Sequence, residues 1–400
     1  MIAIPFLIGS LMGAWRTWNA KRPPHAGRVG PLWLPALLTG ELALHQIAWQ
    51  GIVTALFIWA GALDSWPGWV ALGATVASWV GLVWLFVQGG QAKRVIATAL
   101  SETVGIVPEV KQPSLLALAR ARPRLPEAVA MQAAVPYGEH ERQRLDLYLP
   151  PRPNGHMLLQ IHGGSWIRGK RERHARPLMY SMAANGWLVA SMSYRVSPEA
   201  TFPDHLIDVK RAIAWLRAEG PALGATSGFL ATTGGSAGAH LAAMAALTPN
   251  EPRYQVEFAN ADTSVQACAP FYGIYELTSR DGSRGKWPFI DRYVMKSSPL
   301  DDPEAWHSAS PVNLARPDAP PFFVLHGGHD SAVRASESSR FVDALRRAGA
   351  AVAYAEIPGA THGFDYFVSR RSAASSAGVA RFLEHAVVTN RATPPPQGMT

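Results

Sequence analysis

The chain has almost no cysteine. Cys268 is the only one among 400 residues, which excludes an intrachain disulfide and any thiolate-clustered metal site within one chain. It lies in an apolar run, residues 265–271, and reads as a buried structural thiol. Charge is also scarce, with Asp, Glu, Lys and Arg making up 16% of residues. Acidic groups are the shorter supply, 29 against 37 basic ones, for a formal charge of +8. The basic residues are scattered and no run interleaves them with stacking aromatics, which argues against nucleic acid as a partner. The same balance suits residence beside an anionic lipid surface. There is no internal repeat, and the proline-rich tail at residues 391–400 reads as a disordered end.

Charge is scarcest before residue 90, where tryptophan is dense. Residues 1–90 therefore read as a membrane-anchoring helical region, residues 91–129 as a linker or helical connector, and residues 130–390 as an α/β domain. Residues 42–63 carry only His45, Gln46 and Gln50 as strongly polar groups, and residues 66–87 carry no ionisable side chain. Each stretch is about 22 residues, enough for a helix of roughly 30 Å to cross a bilayer. Asp64-Ser65-Trp66-Pro67-Gly68 between them reads as a turn with tryptophan at interface depth. A buried hairpin of a soluble protein is the competing reading. Residues 2–15 are apolar but short; without a basic flank or an A-x-A-like site they make a poor signal peptide, and fit a short span or an interfacial helix. Residues 31–40 also fit the interface. Arg16, Lys21, Arg22 and Arg28 precede the hairpin, Lys93 and Arg94 follow it, and its turn holds Asp64 and no base. The positive-inside rule then places both hairpin ends, and the remainder of the chain, in the cytoplasm at the cell membrane.

Beyond residue 130, strand-like and helix-like runs alternate. Expected strands are residues 144–149, 157–161, 187–194, 228–233, 265–271, 321–325 and 351–357; expected helices are 203–219, 239–247 and 337–348. In Gly234-Gly235-Ser236-Ala237-Gly238 a serine sits in G-x-S-x-G between strand and helix, which suggests a nucleophile elbow. Asp330 and His362 each follow a later strand, at the carboxyl end where parallel sheets carry their functional loops. The residue types fit one chemistry. A serine hydroxyl is a weak nucleophile until a base removes its proton. His362 is the candidate base, and Asp330 the group that holds the imidazole in its working tautomer. Gly163, Gly164 and Ser165, after an early strand, and Ala237, after the serine, offer backbone N–H donors for an oxyanion.

Five motifs in this order resemble a known family: His162-Gly163-Gly164-Ser165-Trp166, Ser193-Tyr194-Arg195-Val196-Ser197-Pro198-Glu199, Asp208-Val209-Lys210-Arg211-Ala212-Ile213-Ala214-Trp215, the Ser236 elbow, and His326-Gly327-Gly328-His329-Asp330. Residues 130–390 are similar to α/β-hydrolase esterases related to hormone-sensitive lipase, and nearest to the mycobacterial-type Lip carboxylesterases with a membrane N-terminus. Residues 261–273 support that subgroup. The resemblance implies an α/β-hydrolase fold with a mostly parallel sheet flanked by helices and a small cap. It also implies hydrolysis of carboxylic esters through Ser236, Asp330 and His362, without metal or organic cofactor. Ser165 departs from the fuller lipase pattern, which has a third glycine there.

Bland readings compete at several positions. Ser236 could be a plain helix N-cap and His362 a surface loop residue. Asp365, three residues past the base, is a rival acid. His326, His329, Asp330 and His362 together could suggest a metal site. His162 reads as a loop brace and His240 as packing on the elbow helix. Arg195 and Asp208 read as a structural ion pair. Residues 280–306 break the α/β rhythm and read as a cap, with Trp287 and Phe289, and Trp166 on the early loop, as expected substrate-binding residues. The expected activity is that of a membrane-tethered serine carboxylesterase acting on small or lipid-like esters. Amide or formamide hydrolysis on the same triad, or a silent hydrolase-like scaffold, are the alternatives.

Overall fold

A computed structural model of the chain describes residues 2–21, 33–278 and 288–392. Trp287, residues 279–286 of the cap region and the tail from residue 393 lie outside them.

The first helices are α1 (Ala3–Lys21), α2 (Trp33–Glu41), α3 (Ala43–Trp59) and α4 (Trp66–Gly89). Their polarity is reversed relative to a water-soluble bundle. Ile4, Ile8 and Trp15 of α1, Trp49, Ile52 and Leu56 of α3, and Val76, Val80 and Val83 of α4 are exposed. Ser10, Thr17, Thr75 and Ser78 are buried instead. They pair across the α1–α4 seam: Thr75 Oγ1 donates to Ser10 Oγ at 2.9 Å, and Thr17 Oγ1 and Ser78 Oγ are also 2.9 Å apart. Small hydroxyl residues inside and large apolar ones outside is the pattern of helices packed in lipid. By length and composition, Trp66–Val104 is long and apolar enough to cross a bilayer, and α2 with α3 meets the same test as a pair bent by 90°. The expected span at residues 42–63 is thus shorter as a helix. It stops at Trp59, where the chain enters a tight turn with Gly61 at φ +83° and a 3-10 turn over Ala62–Asp64.

Next come α5 (Ala92–Val104) and α6 (Leu115–Arg120). The connector is not a free spacer. Ile96 and Leu100 of α5 are buried in the same apolar layer as the sheet and the last helix.

Eight strands follow: β1 (Ala130–Pro136), β2 (Arg144–Leu149), β3 (Met157–Ile161), β4 (Leu188–Met192), β5 (Leu230–Gly235), β6 (Ala267–Phe271), β7 (Phe322–Gly327) and β8 (Val352–Ile357). They form one sheet in the order β1-β2-β4-β3-β5-β6-β7-β8. The β1–β2 and β2–β4 pairs are antiparallel and the other five parallel. The helices interleaved with them are α7 (Arg176–Ala184), α8 (Asp204–Glu219), α9 (Ala237–Leu247), α10 (Pro303–Ser308), α11 (Ala335–Arg347) and α12 (Arg370–Ala392). One face of the sheet carries α8, α9 and α11, which contribute Leu206, Leu241 and Phe341 to its core. The other carries α5, α7 and α12, through Ile96, Leu178 and Leu383. With both faces covered, β3 to β7 are buried throughout, as parallel strands require. Cys268 is buried in β6 and burial pushes its thiol up to about 12, so it is inert.

The described part of the expected cap is seated on this core. Residues Ile290–Met295 form a π-helical turn, Trp306 of α10 is buried, and Val294 O accepts from Phe202 N at 2.8 Å.

Candidate active site

The elbow is built by close approach. Ser236 joins β5 to α9 with φ 59° and ψ −122°, a combination that a non-glycine residue adopts only when its surroundings enforce it. They do so through Gly238, where a Cβ would stand 2.1 Å from Ile161 O. Only glycine lets α9 start this close to β3. Ser236 N donates to Phe271 O at 3.0 Å, which ties the turn to the end of β6.

The β7 end carries the candidate acid. Asp330 Oδ1 accepts from the N–H groups of Ala332 and Val333, each at 2.8 Å. Its Oδ2 accepts from His362 Nδ1 at 2.7 Å, with His326 Nε2 at 3.4 Å. Burial pushes this carboxyl up, but the His362 charge and the bonds from His326 and His362 outweigh it and hold the group well below the usual carboxylate range. It is therefore an ionised acceptor, and it fixes His362 with the proton on Nδ1, which leaves the lone pair on Nε2.

Asp365, the rival acid, is engaged elsewhere: Tyr272 donates its hydroxyl to Asp365 Oδ1. Burial pushes the Asp365 carboxyl up to about 6. Tyr272 has φ +40°, and its ring lies 4.6 Å from that of His362. Its hydroxyl also lies 2.7 Å from where a Cβ on Gly235 would stand. It is thus a wedge between the residue before Ser236 and the candidate base. Among the described residues no hydrogen bond joins Ser236 Oγ to His362; the two share Tyr272 as a neighbour.

The loop after β3 faces the elbow. A Cβ on Gly163 would stand 2.5 Å from Gly235 O and 3.1 Å from Ser236 Cβ. Gly164, Ser165 and Trp166 follow with φ of +126°, +57° and +60°. The loop is held in a backbone conformation that non-glycine residues adopt only when their surroundings enforce it. Among the described residues, the N–H groups of Gly164, Ser165 and Ala237 donate to no protein acceptor. His162 braces this loop: its Nδ1 donates to Gly163 O at 2.8 Å and its ring stacks on Tyr194 at 4.3 Å. Burial pushes its imidazole down to about 3, so it is neutral at physiological pH.

One expected substrate contact needs correction. Trp166 has no exposed surface; it packs edge-on against His240 at 5.1 Å and supports the loop from behind. Phe289 is half-buried, with part of its ring against the main core. Other bland readings hold. His240 Nε2 donates to Ala309 O at 2.8 Å. Arg195 and buried Asp208 form a bidentate pair, with Nη2–Oδ1 at 2.8 Å. His326 donates to Val333 O and bonds Ser338 Oγ, so its two nitrogens serve the loop.

Residues 145–345, half of the chain, match the BD-FAE family. The chain belongs to that family. The chain is similar to esterase LipQ of Mycobacterium tuberculosis (strain ATCC 25618 / H37Rv), at 45% identity over 262 residues, which covers 64% of this chain and 62% of LipQ. It is 42% identical to the probable carboxylic ester hydrolase LipM of the same organism over 266 residues, 64% of this chain and 62% of LipM. The chain thus spans about three-fifths of the length of these relatives. A truncated carbohydrate esterase from gut microbiota superposes with a TM-score of 0.56 at 23% identity, covering 64% of this chain and 96% of that one. That likeness speaks for the α/β-hydrolase fold alone.

Sequence reasoning missed Tyr272 and Trp33. Trp33 of α2 stands edge-on to the His362 ring, centroids 6.2 Å apart and planes at 88°. A tryptophan some 330 residues upstream of the base gives no local signal of that contact.

Proposed function

We propose that the chain is a serine carboxylesterase held in a membrane by its first four helices. The observation that carries the reading is the 2.7 Å bond from His362 to buried Asp330, at a strand end beside a strained serine elbow. In the reaction, Ser236 Oγ attacks the ester carbonyl carbon while its proton passes to His362 Nε2. The negative oxygen of the tetrahedral intermediate accepts from the Gly164, Ser165 and Ala237 N–H groups. The C–O bond to the alcohol breaks, the alcohol leaves with the proton from His362, and the acyl group stays on Ser236. Water, deprotonated by the same histidine, then releases the acid. No step calls on a metal or organic cofactor. LipQ and LipM, both described as ester hydrolases, support an ester substrate. The reversed polarity of the helical bundle supports the tether.

A fluorophosphonate probe tests the nucleophile directly. Labelling at Ser236 in the wild type and none in Ser236→Ala is expected, with hydrolysis of short aryl esters lost in step. Full ester turnover by Ser236→Ala would sink the assignment.

A further inference from the structure

The membrane helices do not hang from the hydrolase on a linker; they touch the segment that carries the candidate base. Trp33 stands over His362, and its neighbour Leu34 is exposed. One turn on, Leu37 Cδ2 lies 3.6 Å from where a Cβ on Gly363 would stand. At the end of α2, Glu41 pairs with Arg371 at 3.1 Å, both side chains 2% exposed or less. Arg371 also donates to Pro358 O at 3.0 Å and to Gln88 Oε1 of α4 at 3.4 Å. Arg370 lies over the Phe86 ring and donates to Phe86 O at 3.3 Å. The His362 segment is therefore gripped by α2 and the end of α4 on both sides.

The bend matters as much as the contacts. Because α2 is turned 90° from α3, an α3 that runs across the bilayer leaves α2 lying in the plane of the lipid surface. The side of the candidate site that Trp33 occupies is then level with the headgroups.

We propose that Trp33 is a specificity-determining residue of the ester site, and that α2 forms the wall against which the apolar portion of a lipid-dissolved ester lies. This rests on the reading of Ser236, Asp330 and His362 as the reacting centre. The half-buried indole offers a broad apolar surface with a polar edge, suited to a substrate that straddles lipid and water. Its contact with a long acyl chain grows with chain length, whereas an acetyl group ends before reaching it.

The test uses the full chain in lipid nanodiscs, with p-nitrophenyl acetate and p-nitrophenyl octanoate as paired substrates. For Trp33→Ala, the octanoate-to-acetate ratio of kcat/KM is expected to fall at least about 10-fold, in keeping with the discrimination that apolar contacts give. Trp33→Phe is expected to recover most of the ratio, and fluorophosphonate labelling of Ser236 is expected to persist in both variants. A wild type and a Trp33→Ala protein with equal ratios, both labelled, would overturn the proposal while leaving the esterase reading intact. An unlabelled wild type would overturn both. If Trp33→Ala does not fold, Trp33→Gln decides: an unchanged octanoate-to-acetate ratio there counts against the proposal, and a fall of about 2-fold or more counts for it.

Discussion

Asp330 illustrates how a buried carboxylate is kept ionised: two backbone N–H groups bind one oxygen and two imidazoles approach the other. Asp330→Asn keeps the shape but removes the charge that fixes the His362 tautomer, so kcat is expected to drop about 10⁴-fold with the fold intact; steady-state kinetics with a thermal melt checks both. Because its folded pKa is depressed, Asp330 stabilises the fold above its unfolded value near 4, and that contribution is lost as pH falls below it. Asp365 works in the opposite sense. Its carboxyl is pushed up to about 6, so ionisation at neutral pH opposes folding, with the penalty growing from about pH 4 and complete above about pH 6. Asp365→Asn still accepts from the Tyr272 hydroxyl and removes that penalty. Stability at pH 7.5 is expected to rise by roughly 1–3 kcal/mol, with little change at pH 4; urea unfolding at the two pH values reads it. The strand-end positions of Ser236, Asp330 and His362 were legible in the sequence because each follows an apolar run that reads as a strand. Tyr272 was not legible. Its role depends on a left-handed backbone and on an acid 93 positions away, neither of which leaves a local pattern.

The glycine loop after β3 and the elbow after β5 are held at van der Waals contact by side chains that are absent. Gly163→Ala places a methyl carbon against Gly235 O, backbone against backbone, so the loop must shift away from the elbow. The oxyanion donors shift with it, and kcat is expected to fall by about 10²-fold or more with KM far less affected; kinetics on a short-chain ester would show whether the split holds. The strands of the parallel core were legible as apolar runs, because both faces are buried. β1 was not: it is an exposed edge strand without alternation, and only its pairing with β2 defines it. α12 escaped notice as well, since its serine- and alanine-rich sequence has weak periodicity. The α3 boundary differed because the turn drew residues beyond Trp59 out of the helix, and hydropathy does not register where a chain turns.

Across the whole molecule, a hydrolase fold and a bundle with its polar residues inside share one seam. The bundle was legible in outline, from two uncharged runs rich in tryptophan. Its attachment to the site was not, because the Glu41–Arg371 pair joins residues that hydropathy and motif order treat separately. Arg371→Met leaves Glu41 buried without its cation and is expected to destabilise the full chain by about 3–5 kcal/mol. Adding Glu41→Gln should recover much of the loss, as a double-mutant cycle in detergent would measure. Basic residues flanking the hairpin predict a cytoplasmic hydrolase domain. Protease added to intact spheroplasts should spare a C-terminal tag, and cleavage before lysis would reverse the topology.

The same guanidinium ties together segments made early and late in synthesis. It closes a span of 330 residues to Glu41 and also reaches Gln88, and both partners leave the ribosome long before Arg371 does. Burying a charge without its partner is costly, so this pair closes only when both segments have come together. A chain without its first four helices is expected to leave Arg371 without its buried partner beside the segment that bears His362, and to lose order at the candidate base.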